Sequence, residues 1–396
     1  MLAGIKTGTE FMQAHMNNEA AYPPLAEIRK SLRIKWYRCP IDTSTLHQLL
    51  GRDDRRGFLQ AGGHFLLWVL TASILYWCFS SSNWLLLPVA LFLHGTVASF
   101  FKGTSVHELG HGTVFKTPWL NKFFLYLFSS ISWWDHFDYA SSHTYHHRYT
   151  LHPEGDRENL LPLSPLVGRT FLLQLLTINL WTAPGRTFSK GGLVNTVIAT
   201  FRSAFDRPGE INVPSGEWLH TLHQDQPEQY KRSVWWSRWL LILHGSVLVL
   251  SLWSGQWIWV LIISAGSYTA NWLSYLLGMT QHCGLKENDT DFRKSVRSIK
   301  INPLFAFLYW HMNWHTEHHM FAGVPCYNLK ALHDAVKEDM PVPRTLPEAW
   351  GEMIDTWRKQ QEDEKYYFDT PVPARKTNED QTELHKSIGE LAPHGL

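Results

Sequence analysis

Residues 64–101 read HFLLWVLTASILYWCFSSSNWLLLPVALFLHGTVASFF, a run of 38 positions without Asp, Glu, Lys or Arg. As one helix, such a run would reach about 57 Å, nearly twice the thickness of a hydrocarbon core of about 30 Å. A polar break, Ser80-Ser81-Ser82-Asn83, lies near the middle of the run. The pattern therefore predicts a hairpin of two membrane-spanning helices that turns at this break.

A second uncharged run covers residues 239–285, which are 47 positions, and has its own polar break at Ser254-Gly255-Gln256. Tryptophans lie beside both breaks, where the aromatic belt of a membrane interface would place them. We expect two hairpins, and the four predicted spans are residues 64–80, 84–106, 238–254 and 257–280. The alternative is a pair of buried hairpins in a large soluble protein, where uncharged runs of this length are rare.

The distribution of the basic residues predicts how the two hairpins are oriented in the membrane. Both breaks lack Lys and Arg, and all 36 basic residues lie in residues 1–63, 102–238 and 286–396. The positive-inside rule places these three regions, with both termini and the active site, in the cytoplasm. We therefore expect a multi-pass protein of the plasma or inner membrane, or of the endoplasmic reticulum. No cleavable signal peptide is visible at the N-terminus.

The predicted fold is an all-α membrane protein with interfacial helices and a cytosolic helical cap. Residues 120–134 and 170–181 are apolar but too short for ordinary spans, so we expect them to lie in the membrane surface. The predicted organisation is a cytosolic N-terminal segment at 1–63, a membrane domain at 64–335 with a cytosolic lobe at 203–234, and a polar C-terminal tail at 336–396.

Composition excludes several classes of protein. The formal net charge of +1 argues against a nucleic-acid binder that relies on a basic surface. The 4 cysteines form no CxxC pair, which argues against a disulfide scaffold, a cysteine zinc ribbon and a built-in iron–sulfur cluster. The 22 histidines are the unusual feature.

Nine of these histidines lie in four short motifs, all on the predicted cytosolic side. The motifs are His107-Glu-Leu-Gly-His111, His143-Thr-Tyr-His146-His147, the single His282, and His315-Thr-Glu-His318-His319. Spacings of three and four residues bring rings to one helix face. With 22 His in 396 residues, HxxHH is expected roughly 0.07 times by chance, yet it occurs twice. The pattern indicates metal binding.

Nine imidazoles exceed what one metal ion takes, whereas two ions with four or five nitrogen ligands each would use them all. Imidazole suits zinc, copper, iron and nickel, so ligand type alone leaves the metal open. Zinc needs three or four ligands. A redox pair that binds O2 makes better use of nine nitrogens, which makes iron the leading candidate.

The motifs HELGH, HTYHH, TQHCG and NWHTEHH, in this order around two hairpins, resemble the membrane fatty-acid desaturase and hydroxylase superfamily. The resemblance covers roughly residues 64–335. It implies two Fe ions (a non-haem di-iron centre) at the cytosolic face, with O2 as co-substrate. By position, the implied ligands are His107, His111, His143, His146, His147, His282, His315, His318 and His319.

The resemblance implies oxidation of an unactivated C–H bond in a lipid or fatty-acyl chain. The function expected first is a fatty-acid desaturase. A membrane di-iron hydroxylase or monooxygenase of a hydrocarbon or lipid is the alternative, because the motifs lie between acyl-lipid desaturases and alkane hydroxylases. Acyl-CoA desaturases of the family have an Asn at the position of Gly278. No flavin, rubredoxin or cytochrome b5 motif occurs in the chain, so a separate ferredoxin, rubredoxin or cytochrome b5 with its reductase is implied.

Residues 107–111 also satisfy HExxH, the motif of zinc proteases in which the glutamate is the general base. A membrane metalloprotease is therefore a remote alternative, although it leaves seven histidines unexplained. Four acids near the motifs are expected as hydrogen-bond acceptors behind the ligands: Glu108, Asp135, Asp138 and Glu317. We expect His94 and His244 to be packed neutral residues, and His220 and His223 to lie at the surface.

Overall fold

The structure, a computed structural model, describes residues 22–182, 191–207 and 216–376. The predicted N-terminal segment, lobe and C-terminal tail therefore fall partly outside the described residues, at 1–21, 208–215 and 377–396. The helices of the first half are α1 Leu25–Ser31, α2 Thr43–Leu49, α3 Asp54–Ser80, α4 Leu87–Ala98, α5 Val106–Gly110, α6 Pro118–Ile131, α7 His136–Tyr149 and α8 Arg169–Leu176.

The helices of the second half are α9 Leu193–Ala204, α10 Gly216–Asp225, α11 Pro227–Trp253, α12 Trp272–Gly278, α13 Phe292–Ser295, α14 Pro303–Leu308, α15 His315–Met320, α16 Leu329–Val336 and α17 Leu346–Gln360. Two short strands, β1 Ile299–Lys300 and β2 Arg344–Thr345, pair in parallel. The described residues are thus mostly helical with almost no sheet, which confirms the predicted helical class.

Two helices among the described residues, α3 and α11, are long and apolar enough to cross a membrane, each with 27 residues. Both begin about ten residues earlier than predicted, and they end at Ser80 and Trp253, next to the two polar breaks. Apolar side chains such as Leu66, at 67% exposure, and Val249, at 64%, face outward from them. Exposed apolar surface of this kind is expected of helices that contact lipid.

The predicted spans 84–106 and 257–280 are not continuous helices, so the four-span topology is not confirmed. After α4, the backbone leaves helical geometry at Lys102 and at Gly103, where φ is +78°. In the second region, a π-helical segment at Val260–Ser264 and a 3-10 turn at Gly266–Tyr268 precede α12. The absence of charge over these runs does not require an unbroken helix.

The two predicted interfacial segments are helical, as α6 and α8. In α6, Leu120, Phe124 and Phe128 are buried while Trp119 and Phe123 are more than half exposed. This division gives α6 one face toward the protein and one apolar face toward its surroundings, as in a helix that lies in a membrane interface.

The main hydrophobic core contains residues from both ends and from the middle of the described chain. Trp36 and Tyr37 from the N-terminal part and Ala349 from α17 belong to the same buried cluster as Phe101 and Trp310. The same cluster includes Val106 and Leu109 of the first histidine motif's helix and Met320 at the end of α15, so it fixes the helices that carry the first and last motifs.

Candidate metal centre

The four histidine motifs meet inside the protein although they are far apart in sequence. His107 and His111 come from α5, and the second motif occupies the last turns of α7. His282 lies in a turn after α12. Arg297 stabilises this turn, because the guanidinium of Arg297 donates to the carbonyls of Thr280 and Cys283 at 2.6 and 3.2 Å. The last motif forms α15, a helix whose residues are all buried.

The nine rings divide into two sets. The five-histidine set is His107, His111, His143, His147 and His318, and the four-histidine set is His146, His282, His315 and His319. Within each set, one nitrogen from every ring lies within 4.8 Å of the others. Each set is therefore compact enough to surround one metal ion.

Each HxxHH motif contributes to both sets, in opposite proportions. The second motif gives His143 and His147 to the five-histidine set and His146 to the other, whereas the last motif gives only His318 to the five-histidine set. Successive residues of an α-helix are rotated by about 100°. Adjacent histidines therefore point to different sides of their helix, and one helix can supply two neighbouring ions.

The four-histidine set has lone pairs that face each other. Nδ1 of His146 lies 2.9 Å from the Asp156 carboxylate, and Nδ1 of His282 lies 3.1 Å from the Ser295 carbonyl oxygen. Both oxygens only accept, so each Nδ1 carries hydrogen, and in the neutral form that binds metal each ring has its lone pair on Nε2. These two Nε2 atoms lie 3.2 Å apart. A cation between them would remove the repulsion.

His319 is fixed in the same tautomer. The hydroxyl of Thr150 donates to the His146 carbonyl at 2.7 Å, so its oxygen accepts from Nδ1 of His319 at 3.1 Å. Nε2 of His315 completes the set at 3.0 Å from His282 and 3.2 Å from His319. Nitrogens held at about 2.1 Å from one tetrahedral ion would lie about 3.4 Å apart, close to these distances. The donor set fits a metal ion.

The five-histidine set has buried ring nitrogens without partners. Nε2 of His107, His111 and His143 has no hydrogen-bond partner among the described residues. On the opposite side of the ring, Nδ1 of His107 lies 2.8 Å from Glu108 and Nδ1 of His143 lies 3.1 Å from Glu158. Buried polar atoms are normally hydrogen-bonded, and metal-ligating histidines typically bond a carboxylate through the other nitrogen. This set also fits a metal ion.

Burial keeps most of these rings neutral, which is the form that binds metal. Burial lowers the pKa of His107, His111 and His282 to about 3. It lowers the pKa of five further rings well below the ordinary value, namely His143, His147, His315, His318 and His319. For His146, burial acts in the same direction, but the Asp156 and Glu158 carboxylates outweigh it and raise the pKa to about 8.

The four acids expected behind the ligands have different surroundings. Glu108 contacts His107, as expected. Asp135 instead caps α7 by accepting from the amides of residues 137 and 138 at 3.1 Å. Asp138 accepts from His223 at 2.8 Å, and Glu317 lies 2.6 Å from Nδ1 of His333. These three acids hold helices and neighbouring side chains in place. His223 is accordingly half-buried rather than a surface residue.

Sequence reasoning missed the acids that do contact the rings of α7. Asp156 and Glu158 lie in the loop after the second motif, and both are buried. Ser142 donates to Glu158 at 2.8 Å and receives a bond from Trp218 of α10 at 3.0 Å. Two acids within about twelve residues of a histidine motif were the signal that could have identified them.

The two deep histidines are packed residues, as predicted. His94 lies 3.0 Å from both the Thr71 hydroxyl and the Ile262 carbonyl oxygen. His244 lies 2.8 Å from Ser264 Oγ and 2.9 Å from the Ser130 carbonyl oxygen. Their nitrogens are occupied, so they are not candidate ligands.

A cavity of about 280 Å³ reaches the five-histidine set at His107. Its wall also includes Tyr139, Tyr309, Phe171 and Leu175. The volume is near the lower limit for small-molecule sites. The cavity can therefore hold a small molecule or a segment of a longer chain directly beside the candidate metal centre.

A mainly helical scaffold with two long apolar helices and nine converging histidines defines a helical protein with two sets of histidines that could each hold a metal ion. The sequence matches the fatty acid desaturase family model over residues 82–347, and the chain belongs to this family. A comparison with curated proteins finds no match. Membership makes the chain an oxidoreductase of a membrane-associated family that typically uses two irons, acts on acyl or other lipid substrates and needs a redox partner.

Proposed function

We propose that the protein is an O2-dependent di-iron enzyme that oxidises an unactivated C–H bond of a lipid or fatty-acyl chain, in the simplest case a fatty-acid desaturase. The observation that carries this proposal is the division of nine imidazoles into a five-histidine set and a four-histidine set, which share the helices α7 and α15. Two ions that each need several neutral nitrogen donors suit redox iron better than hydrolytic zinc.

Two iron ions in these sets would supply the chemistry that reduces O2 and removes hydrogen atoms from the substrate. The chain's own groups fix the donor atoms. Asp156, Ser295 and Thr150 accept from Nδ1 of three rings in the four-histidine set, which turns their Nε2 lone pairs inward. Glu108 and Glu158 hold two rings of the five-histidine set in the same way. Such support typically changes metal affinity by 10–100-fold.

The cavity is the proposed substrate site. His107 lines it, so a chain inside the cavity would pass the five-histidine set, while apolar residues such as Phe171 and Leu175 would contact other parts of it. Positioning decides the product, because removal of a second hydrogen gives an alkene whereas return of oxygen gives an alcohol. Electrons would come from a separate ferredoxin, rubredoxin or cytochrome b5.

We also propose a multi-pass membrane topology with the termini and the histidine sets on the cytoplasmic side. The two long apolar helices and the distribution of basic residues support this topology. The polar breaks at Ser81 and Ser254 would then lie on the opposite side.

The first experiment measures metal and product together. Purified protein should contain about two iron ions per chain. With a reducing system and candidate lipids, mass spectrometry should detect a product that has lost two hydrogen atoms. The variant His315→Ala should lose iron and turnover, whereas His220→Ala, at an exposed histidine, should keep both.

Other outcomes would change the proposal in defined ways. Gain of one oxygen atom would identify a hydroxylase. Zinc without iron, together with peptide cleavage, would support the HExxH protease instead. Against that role, Glu108 is completely buried and faces Nδ1 of His107. Unchanged iron in His315→Ala would remove the four-histidine set from the proposal.

A further inference from the structure

The cavity contains a lysine at the point where the chain stops being helical. Lys102 has φ −85° and ψ 147°, and Gly103 follows with φ +78°. Positive φ suits glycine, and open space surrounds this position, so the break does not come from crowding. The break ends the helical path of the chain five residues before His107, and Lys102 and His107 line the same cavity.

The charge of Lys102 has no acidic partner in the described part of the chain. Its Nζ lies 3.8 Å from the centre of the Tyr268 ring. None of the described residues that line the cavity is an Asp, a Glu or an Arg. A cation–π contact alone compensates a desolvated cation less completely than an anion does.

Two asparagines add unused hydrogen-bonding capacity to the same cavity. Asn179 and Asn271 are 5% and 7% exposed, and the side-chain oxygen of each has no hydrogen-bond partner among the described residues. Both residues line the cavity with Lys102. Asn179 lies next to Tyr268, because its backbone N–H donates to the Tyr268 carbonyl at 2.8 Å. Buried polar groups without partners are uncommon in native proteins.

We propose that this cavity binds its substrate through an anionic head group, a carboxylate or a phosphate, that pairs with Lys102, with the side-chain N–H groups of Asn179 and Asn271 as further donors to the same anion. That this ligand is the oxidised substrate rests on the proposed function. A neutral hydrocarbon or an esterified chain without a nearby charge would offer Lys102 no anionic partner, whereas an anion in the cavity would stabilise the ammonium form of the lysine.

The position of Lys102 also limits the substrate. Lys102 lies five positions before His107, so their Cα atoms lie at most about 18 Å apart. The anionic group and the oxidised carbon would therefore occupy one cavity. This geometry fits a free acid or an alkyl phosphate whose chain runs from Lys102 toward the five-histidine set.

The test measures binding without turnover. Purified iron-containing protein in detergent is titrated with the fluorescent fatty acid cis-parinaric acid and with its methyl ester. The acid should bind about tenfold or more tightly than the ester, the usual range for a charge-assisted hydrogen bond. Lys102→Met should remove this difference by weakening the acid alone, whereas Lys102→Arg should largely keep it. Lys116→Met, at an exposed lysine, is the matched control.

Competition then identifies the anion. Displacement by palmitic acid but not by hexadecyl phosphate supports a carboxylate site, and the reverse supports a phosphate site. Equal affinity of acid and ester for the unaltered protein would overturn the inference even if Lys102→Met fails to fold. Charge-selective binding without any lipid oxidation would overturn the proposed function alone, whereas oxidation of neutral chains with no charge selectivity would overturn this inference alone.

Discussion

At the scale of single residues, the candidate centre depends on which nitrogen of each ring carries hydrogen. Asp156 is the clearest case, because its carboxylate is buried, lies 2.9 Å from Nδ1 of His146 and also accepts from the Leu151 amide at 3.0 Å. The sequence motif shows only that His146 is present. Its contact with Asp156 shows that Nε2 is the ring nitrogen available to bind a metal ion.

Asp156→Asn should weaken metal binding by about 10–100-fold. The amide keeps the size of the side chain but removes the negative charge that orients His146 and makes its ring a better donor. The measurement is the rate and extent of iron loss to a chelator, followed by metal analysis of the protein.

Asp138→Asn is the control for that substitution. Asp138 is also a buried acid of the same region, but it bonds His223 rather than a ring of either histidine set. Equal loss of iron from both variants would mean that general destabilisation, and not the contact with His146, causes the effect.

At the scale of secondary-structure elements, the contacts of α4 explain how the uncharged runs pack. A Cβ atom on Gly95 would lie 2.2 Å from the Thr269 carbonyl oxygen and 2.6 Å from the carbonyl carbon. Glycine therefore allows α4 to approach the non-helical backbone between Tyr268 and α12. The same backbone carries Asn271 into the cavity wall. Interrupted backbone at membrane depth is tolerated where protein or a cavity surrounds it.

Gly95→Ala should lower the free energy of unfolding by about 1–3 kcal/mol, because a backbone atom cannot move aside as a flexible side chain can. Thermal unfolding in detergent, followed by tryptophan fluorescence, measures this effect.

Gly245→Ala provides the comparison for the glycine of α4. It lies inside α11, and an added Cβ would meet nothing within 4 Å. Alanine should stabilise this helix by about 0.5–1 kcal/mol. Similar destabilisation at both glycines would show that the close approach at Gly95 is not the cause.

At the scale of the whole molecule, the proposed topology separates the polar breaks from the histidine sets. All four cysteines are buried, so the native thiols should react slowly with a membrane-impermeant maleimide. This background allows single cysteines to be introduced at exposed positions on each predicted side.

In bacterial cells that produce the protein, Ser81→Cys and Ser254→Cys should react with maleimide added outside. Glu364→Cys, at an exposed position after α17, should react only after the membrane is opened. Labelling of Glu364→Cys in intact cells would show that the proposed orientation is inverted or wrong. A common rate for all three positions would argue against separation by a membrane.

The sequence by itself determined the helical class, the two turns at Ser80 and Trp253, and the residues that carry nitrogen donors. These features are local or compositional: charge is absent over long runs, and imidazoles recur at helical spacing. It predicted continuous helices at 84–106 and 257–280 because hydropathy reports the environment of a segment and not its backbone angles.

Only the tertiary structure decided how the histidines are divided between the two sets. A spacing fixes the directions of the rings about one helix axis, but it does not specify which other helices pack beside that helix. The division between His146 and His147, the contact of Asp156 with His146, and the entry of Lys102 into a cavity with Asn271 all depend on how separate segments pack. Such contacts join residues up to hundreds of positions apart, and no local pattern encodes them.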